Sequence, residues 1–412
     1  MRFLHVADLH LGKSIHGISL LESGDQPAWV RDFLEQADRL RPDAVLIAGD
    51  VYDRGAPSGD AVALLSKLLT ALSEREIPVM LVAGNHDSGQ RLGFLDRVLS
   101  RQGIHIAGLP APGGKLERVT LRDAFGPVHF WLMPYVFPAL VAQCLGDETI
   151  RDYDTAVRRL LQAQDVDFSE RNVLIAHQNV TANGLEAERG GSESAVGGLG
   201  QVDYHAFDGF AYVALGHIHA SCSVGRESVR YAGSPLCYHF NEVRQPPKGA
   251  VLVELGAPGT EPVRETLSMA PLHPMRELRG GWEELRDGEL ARSGRGEYLR
   301  VVLTDSRVTP EIGDFFRALA HSRDSRVLEL VSEYAPFSGT VSEVRGEREK
   351  SLEELFAGFY AERRGGEEPT QEDLELLRFA GERIRHRDGT GASEGEDIEA
   401  LLQFLAGQEG EA

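Results

Sequence analysis

Five short apolar runs in the first 219 residues end in the same way, leaving aliphatic residues for a tight turn that carries Asp, Asn or His. The runs are 3–7, 44–48, 78–83, 173–176 and 212–215. The turns behind them are Asp8-Leu9-His10, Gly49-Asp50-Val51-Tyr52-Asp53-Arg54-Gly55, Gly84-Asn85-His86-Asp87, His177 and Gly216-His217-Ile218-His219. Helical patterns separate the first three. Val30, Phe33, Leu34, Ala37 and Leu40 recur at helical spacing behind Asp25 and Pro27, a favourable helix start. Val62, Leu65, Leu68, Leu69 and Leu72 form a second one-sided stripe. Strands alternating with such helices predict an α/β layered domain, with both helices packed on one sheet that carries all five runs. In open α/β sheets ligands gather at the carboxyl ends of strands, where each of these turns falls.

The chain is long enough, at 412 residues, to bury a full core, and its 42% hydrophobic and 26% charged residues are those of a globular protein. No apolar run approaches the roughly 18 residues of a membrane span. The first residues enter a strand without the pattern of a secretory signal, so a cytoplasmic protein with no membrane partner is expected. Cys144, Cys222 and Cys237 are scattered, with no CxxC, and indicate neither a disulfide framework nor a thiolate metal site. The net charge of −21 argues at first against a nucleic-acid partner. About half of that excess lies in residues 346–412, where 18 acidic face 8 basic side chains, and bound cations would reverse the local sign of a carboxylate-rich site.

Beyond the five runs, the glycine-rich stretch 190–200 reads as a connection near the site, because no Gly-Lys-Ser/Thr follows to make it a phosphate loop. A strand is expected over 250–255, then a linker marked by Pro258, Pro262, Pro271 and Pro274. Residues 275–335 read strand, helix, strand, helix, strand: a small α+β module without a cluster of ligands, suited to shaping access to a site. In the tail, Ser351-Leu352-Glu353-Glu354 fits a capping box, and Leu352, Leu355, Phe356, Phe359 and Tyr360 share one helical stripe. A second helix is expected after Thr370, with Asp373 three residues on, and a last short one near 398–405.

Any one of the ligand-bearing turns has a plain alternative as a helix cap or a satisfied surface group. That alternative is accepted for the other nine histidines, His5 and His16 among them. Five such turns in order point instead to metal. The set resembles the calcineurin-like metallophosphoesterases. The resemblance implies that Asp8, His10, Asp50 and His219 hold one divalent ion and that Asp50, Asn85, His177 and His217 hold a second, with Asp50 bridging. Imidazole, carboxylate and amide donors without thiolate suit Mn²⁺, Fe or Zn better than a dedicated Ca²⁺ or Mg²⁺ cage, and Mn²⁺ is the first choice by analogy. Such a pair shares a hydroxide that attacks phosphorus. His86, outside both ligand sets, is then the candidate general acid, with the Asp53 carboxylate orienting it. Arg54 is either a phosphate contact or a solvated charge.

Within that superfamily the chain resembles the SbcD family, nuclease subunits of a bacterial DNA double-strand-break repair complex. The residues that carry this are Asp8-Leu9-His10-Leu11-Gly12, Gly-Asn-His-Asp at 84–87, Ala-Leu-Gly-His-Ile-His at 214–219, Gly-Ser-Pro-Leu at 233–236 and the tail from Ser351 to Tyr360. The resemblance implies a β-sandwich flanked by helices over 1–258, a capping α+β domain at 275–340 and a helix-loop-helix at 346–385. A linker and a short helix follow at 386–412. It implies Mn²⁺-dependent exonuclease and endonuclease activity on DNA ends, hairpins and single strands, and a nucleoid-associated location. The implied partner is an SbcC-like SMC-type ATPase held through 346–385, with a homodimer inside a heterotetramer. One departure is Asp53, where archaeal and eukaryotic relatives carry His. The turn at 49–55 also resembles that of protein Ser/Thr phosphatases, so a phosphatase or small phosphodiesterase is the alternative, although Asn-His-Asp replaces their Asn-His-Glu. A silent scaffold that recruits a partner is the alternative of another class, against which the intact ligand set stands.

Overall fold

The structure, a computed structural model, describes residues 1–182, 184–186, 200–289, 294–334, 356, 360, 369–371, 373 and 374. Met1–Tyr334 forms one compact unit and Ala335–Ala412 a second. The first unit runs β1 (Arg2–Val6), α1 (Asp25–Leu40), β2 (Ala44–Ala48), α2 (Gly59–Glu74), β3 (Val79–Val82), β4 (Ile104–Ala107), β5 (Glu117–Asp123), β6 (Gly126–Met133) and α3 (Tyr153–Gln162). It continues with β7 (Arg171–His177), β8 (Tyr212–Gly216), β9 (Cys222–Val224), β10 (Arg226–Tyr231), β11 (Gly249–Glu254) and β12 (Val263–Ser268). The small module adds β13 (Met275–Gly280), β14 (Tyr298–Leu303), α4 (Pro310–His321) and β15 (Arg326–Ser332).

The five site-bearing strands lie in two sheets rather than the single sheet expected from their pattern. One has the order β12-β11-β1-β2-β3-β4, with β1 to β4 parallel, and the other β9-β10-β8-β7-β6-β5, with β6, β7, β8 and β10 parallel. Phe3, Leu46, Met80 and Val82 of the first sheet meet Phe130, Val173, Ile175 and Tyr212 of the second in one buried layer. The outer face of the first sheet takes Leu4, Val6, Val45 and Ile47 against α1 and α2, and that of the second packs against α3. Strands buried on both faces read as unbroken apolar runs, so the period of the sequence does not say which sheet a strand joins.

Both expected helices form. On α2 the buried stripe is Ala61, Leu64, Leu65, Leu68, Leu69 and Leu72, while Val62, in the first turn at the border of that arc, is 45% exposed. The linker begins later than the prolines suggest: β12, between Pro262 and Pro271, pairs with β11 along its whole length and extends the first sheet past residue 258. The module at 275–332 is a parallel three-stranded sheet with its own core of Leu278, Leu299, Val301, Leu303 and Phe316. The glycine-rich stretch and nearly all of the tail fall outside the described residues. Among those described, Phe356 and Tyr360 are helical with rings 5.8 Å apart. The Thr370 hydroxyl accepts from the Asp373 backbone while the Thr370 N–H donates to the Asp373 carboxylate, a reciprocal cap. No described helix is long and apolar enough to cross a membrane, and all three cysteines are free.

The far end of β7 is fixed by a buried ion pair. Arg171 donates to the Asp123 carboxylate at 2.5 and 3.0 Å and to the carbonyls of Gly126 and Gly256 at 2.8 and 2.9 Å. Arg171→Ala leaves two carbonyls without this donor, while the Asp123 carboxylate keeps the Met1 ammonium at 2.8 Å and the Phe125 N–H at 2.8 Å, and an expected loss of about 1–3 kcal/mol would appear in urea denaturation as a lower midpoint.

Candidate metal centre

Local backbone conformation aims the site. Nine non-glycine residues among those described have positive φ, and four of them are Asp8, His10, Asp50 and His217, with φ of 54, 41, 47 and 110°. L-residues adopt such angles only where surrounding structure imposes them. Here the imposing groups are hydrogen bonds between loops. The Asp8 N–H donates to Gly49 O at 3.0 Å and the His10 N–H to Asp50 O at 2.9 Å. Buried Gln26 caps the carbonyls of Leu9 and His10, at 3.3 and 2.8 Å, and Tyr238 Oη donates to Leu9 O at 2.8 Å. The Asp8 carboxylate, rising from the first sheet, accepts the His217 N–H of the second at 3.0 Å.

Asp50 sits where the carboxyl ends of central strands from the two sheets meet. Its Oδ1 accepts the His86 N–H at 2.9 Å, which turns Oδ2 inward. Around Oδ2 stand His177 Nε2 at 3.4 Å, His10 Nε2 at 3.6 Å and His86 Nε2 at 4.0 Å. Gly84 permits this approach: a Cβ there would lie 2.1 Å from Asp50 Oδ1. On one side His10 Nε2 faces His219 Nε2 at 3.3 Å, and Asp8, His10 and His219 offer ligand atoms within 4.8 Å of one another. On the other, Asn85 Oδ1 lies 3.0 Å from His177 Nε2 and 3.1 Å from His217 Nδ1. Asp8, Asp50 and His177 form a second such group, and His10, Asp50 and His86 a third.

All seven residues predicted as ligands therefore stand together. Asp8, His10, Asp50, His177 and His219 are buried, whereas Asn85, His86 and His217 are half-buried on the open side.

Electrostatics favour a cation. Burial holds the His10 imidazole well below its ordinary pKa, so it is neutral and offers a lone pair. The His177 Nδ1–H donates to Ala48 O at 2.8 Å, and His219 Nδ1 faces the Glu242 carboxylate at 3.1 Å, an acceptor, so both rings turn Nε2 toward the cluster. Burial pushes Asp8 up to about 7. Burial would push Asp50 up as well, but His177 holds it well below the carboxylate range, and against its own burial His177 is lifted by Asp50 to about 9, so that a bound cation would take the place of the His177 proton. Two acidic side chains with converging imidazole and amide donors, five of the seven groups buried, fit a pair of divalent cations.

The structure moves two other roles. His86 Nδ1 donates to the backbone carbonyl of Asp53 at 2.9 Å, where a carboxylate contact was expected. The Asp53 carboxylate is instead taken by Lys13 Nζ at 2.9 Å, with Arg54 at 3.7 Å. A positive Lys13 within reach captures the carboxylate, while the turn itself brings the carbonyl to the ring. Arg54 is 72% exposed at its side chain. Asp87 clamps two turns, its oxygens accepting the N–H groups of Val51, Tyr52 and Gly84 at 3.0, 2.9 and 2.9 Å. Sequence reasoning missed Gln26, Tyr238 and Glu242. None has a local signal, since each acts on a turn brought to it by the fold.

The calcineurin-like phosphoesterase family matches residues 1–221, and a family described as the type 5 capsule protein repressor C-terminal domain, SbcD_C, matches residues 271–364. A Staphylococcus epidermidis protein described as the SbcD component of the SbcCD nuclease is 30% identical over 311 residues, 74% of this chain and 79% of its own length. Its Staphylococcus saprophyticus counterpart is 31% identical over 316 residues, 74% and 78% of the two chains. The chain belongs to the SbcD family of calcineurin-like metallophosphoesterases. It is accordingly a metal-dependent phosphodiesterase, with divalent metal ions as cofactors. Among solved structures, one titled "GAP50 the anchor in the inner membrane complex of Plasmodium" aligns over 83% of this chain and 99% of its own at 13% identity, with a TM-score of 0.38.

For an SbcD-type centre built this way, Gly84→Ala should leave the fold intact by circular dichroism yet displace Asp50. The expected result is loss of most bound metal, read by elemental analysis of the purified protein.

Proposed function

We propose that this chain is the DNA-hydrolysing subunit of a double-strand-break repair and hairpin-processing complex. Asp8, His10, Asp50 and His219 would hold one metal and Asp50, Asn85, His177 and His217 the other. The observation that carries the proposal is Asp50 Oδ2 standing between two imidazole groups, with His86 Nε2 facing it from the open side. Ions bound there would polarise the phosphoryl oxygens and supply hydroxide near neutral pH. Mn²⁺ is the ion proposed, on the mixed nitrogen and oxygen donor set.

His86 serves as the general acid. Its Nδ1–H is held by Asp53 O, which accepts from the ring whether or not Nε2 is protonated, so Nε2 is free to carry a proton to the leaving oxygen. Asp53 thus orients His86 through its main chain, and its carboxylate anchors the turn to Lys13. The relatives' description as part of a nuclease supports DNA as substrate, and the same description supports an SbcC-like SMC-type ATPase as partner, through residues 346–385. The module at 275–340 caps the site. Phe94, Leu95 and Val98, exposed at 72, 50 and 58% on one short turn, support a homodimer within a heterotetramer. The location proposed is the cytoplasm, at the nucleoid.

Purified protein with Mn²⁺, given linear duplex DNA, bis-p-nitrophenyl phosphate and a phosphopeptide, separates the readings. Cleavage of DNA is expected, and phosphopeptide turnover alone would refute the nuclease. His86→Gln should keep its metal and lose about 10²- to 10⁴-fold in turnover, and loss of metal instead would make His86 a ligand. Deleting 346–412 should leave diester hydrolysis intact and abolish co-purification with the ATPase; unchanged co-purification would refute docking through this tail.

A further inference from the structure

We infer that Glu242 is a positioning residue for the metal held by Asp8, His10 and His219, acting through His219. The inference rests on the proposed assignment of His219 as a ligand. Glu242 is 1% exposed, and a carboxylate so buried is costly unless each oxygen is paired. Its two oxygens have separate partners. Oε2 is anchored by Lys248 Nζ at 2.9 Å and the Tyr238 N–H at 3.1 Å, while Oε1 faces His219 Nδ1 at 3.1 Å. An ionised carboxylate only accepts, so the proton sits on Nδ1 and the lone pair of Nε2 points at His10 Nε2, 3.3 Å away.

His177 offers the internal comparison. Its Nδ1 donates to the neutral carbonyl of Ala48, so the two proposed metals have histidines backed by groups of different charge. A carboxylate behind an imidazole raises the basicity of the opposite nitrogen and fixes the ring plane, and loss of such a partner typically costs about 10- to 100-fold in metal affinity. The surroundings of Glu242 extend its hold to both loops of that metal. Lys248 Nζ donates to His219 O at 2.7 Å, and the hydroxyl of Tyr238, whose N–H Glu242 accepts, donates to Asp8 O at 3.1 Å and Leu9 O at 2.8 Å.

The test is Mn²⁺ binding by the full-length protein, followed by calorimetry and by the free-ion electron paramagnetic signal, in wild type, H219A, E242Q, K248M and E242Q/K248M. Two ions are expected in wild type and one in H219A. E242Q should weaken one ion by about 10- to 100-fold and leave the other unchanged. K248M removes the cation and its bond to His219 O but keeps the contact between Glu242 and His219, and should weaken that ion less than E242Q does while leaving the other unchanged. E242Q/K248M leaves no unpaired buried charge, carries the test where E242Q alone does not fold, and should show the same single loss. Wild-type affinity in both Glu242 variants, with one ion lost in H219A, overturns the inference and leaves the ligand assignment standing. Equal loss in K248M and E242Q overturns it too, because the effect would then be packing. Two ions in H219A would overturn the assignment itself, and the inference with it.

Discussion

The meeting of strand ends from two sheets at the Asp50 carboxylate is the constraint on which the rest of this structure depends. One oxygen is tied to the His86 N–H and the other is surrounded by three imidazole nitrogens at 3.4 to 4.0 Å. A buried carboxylate is stable only with such partners, and the partners come from both sheets. The inter-sheet layer of Phe3, Leu46, Phe130, Val173 and Tyr212 holds those ends together, so the packing of an apolar core sets distances between polar groups far from it in sequence.

Strain and satisfaction are distributed unevenly around that point. Four ligand positions adopt positive φ without glycine, and the loops that force them are bridged by backbone hydrogen bonds and by buried Gln26, Tyr238 and Asp87. Burial and the nearby Asp50 carboxylate push Asp87 up to about 6, against three N–H donors that pull it down. The groups on the open side, Asn85, His86 and His217, are the ones left half-buried. Rigid support below and access above is the arrangement a preorganised phosphoryl site needs.

Much of the site was legible in the chain. Gly84 before Asn85 marks a close approach, and five turns in order pick out the residues that the fold brings together, whereas the two-residue period of an extended strand does not pair Asp8 with His10, since both have positive φ. Less of the support was legible. That Asp53 holds His86 by its carbonyl follows from Lys13 capturing its carboxylate, a contact across 40 residues. Glu242 reaches His219 from 23 residues further on, and Arg171 reaches Asp123 across 48. Side chains that act on distant turns leave no spacing to read. Val62 shows the same limit in α2, where a hydrophobic residue falls outside the buried arc.

By itself the sequence determined which residues are chemically able to hold metal, that each stands at the carboxyl end of a strand, and that apolar runs and amphipathic helices form a layered α/β unit. Those properties are local, set by side-chain chemistry and backbone period. Only the tertiary structure decided that the strands divide between two sheets, which nitrogen of each histidine faces inward, and which oxygen of Asp53 meets His86. Runs buried on both faces look alike whichever sheet they join, and the direction of an imidazole is fixed by whatever the fold places behind it.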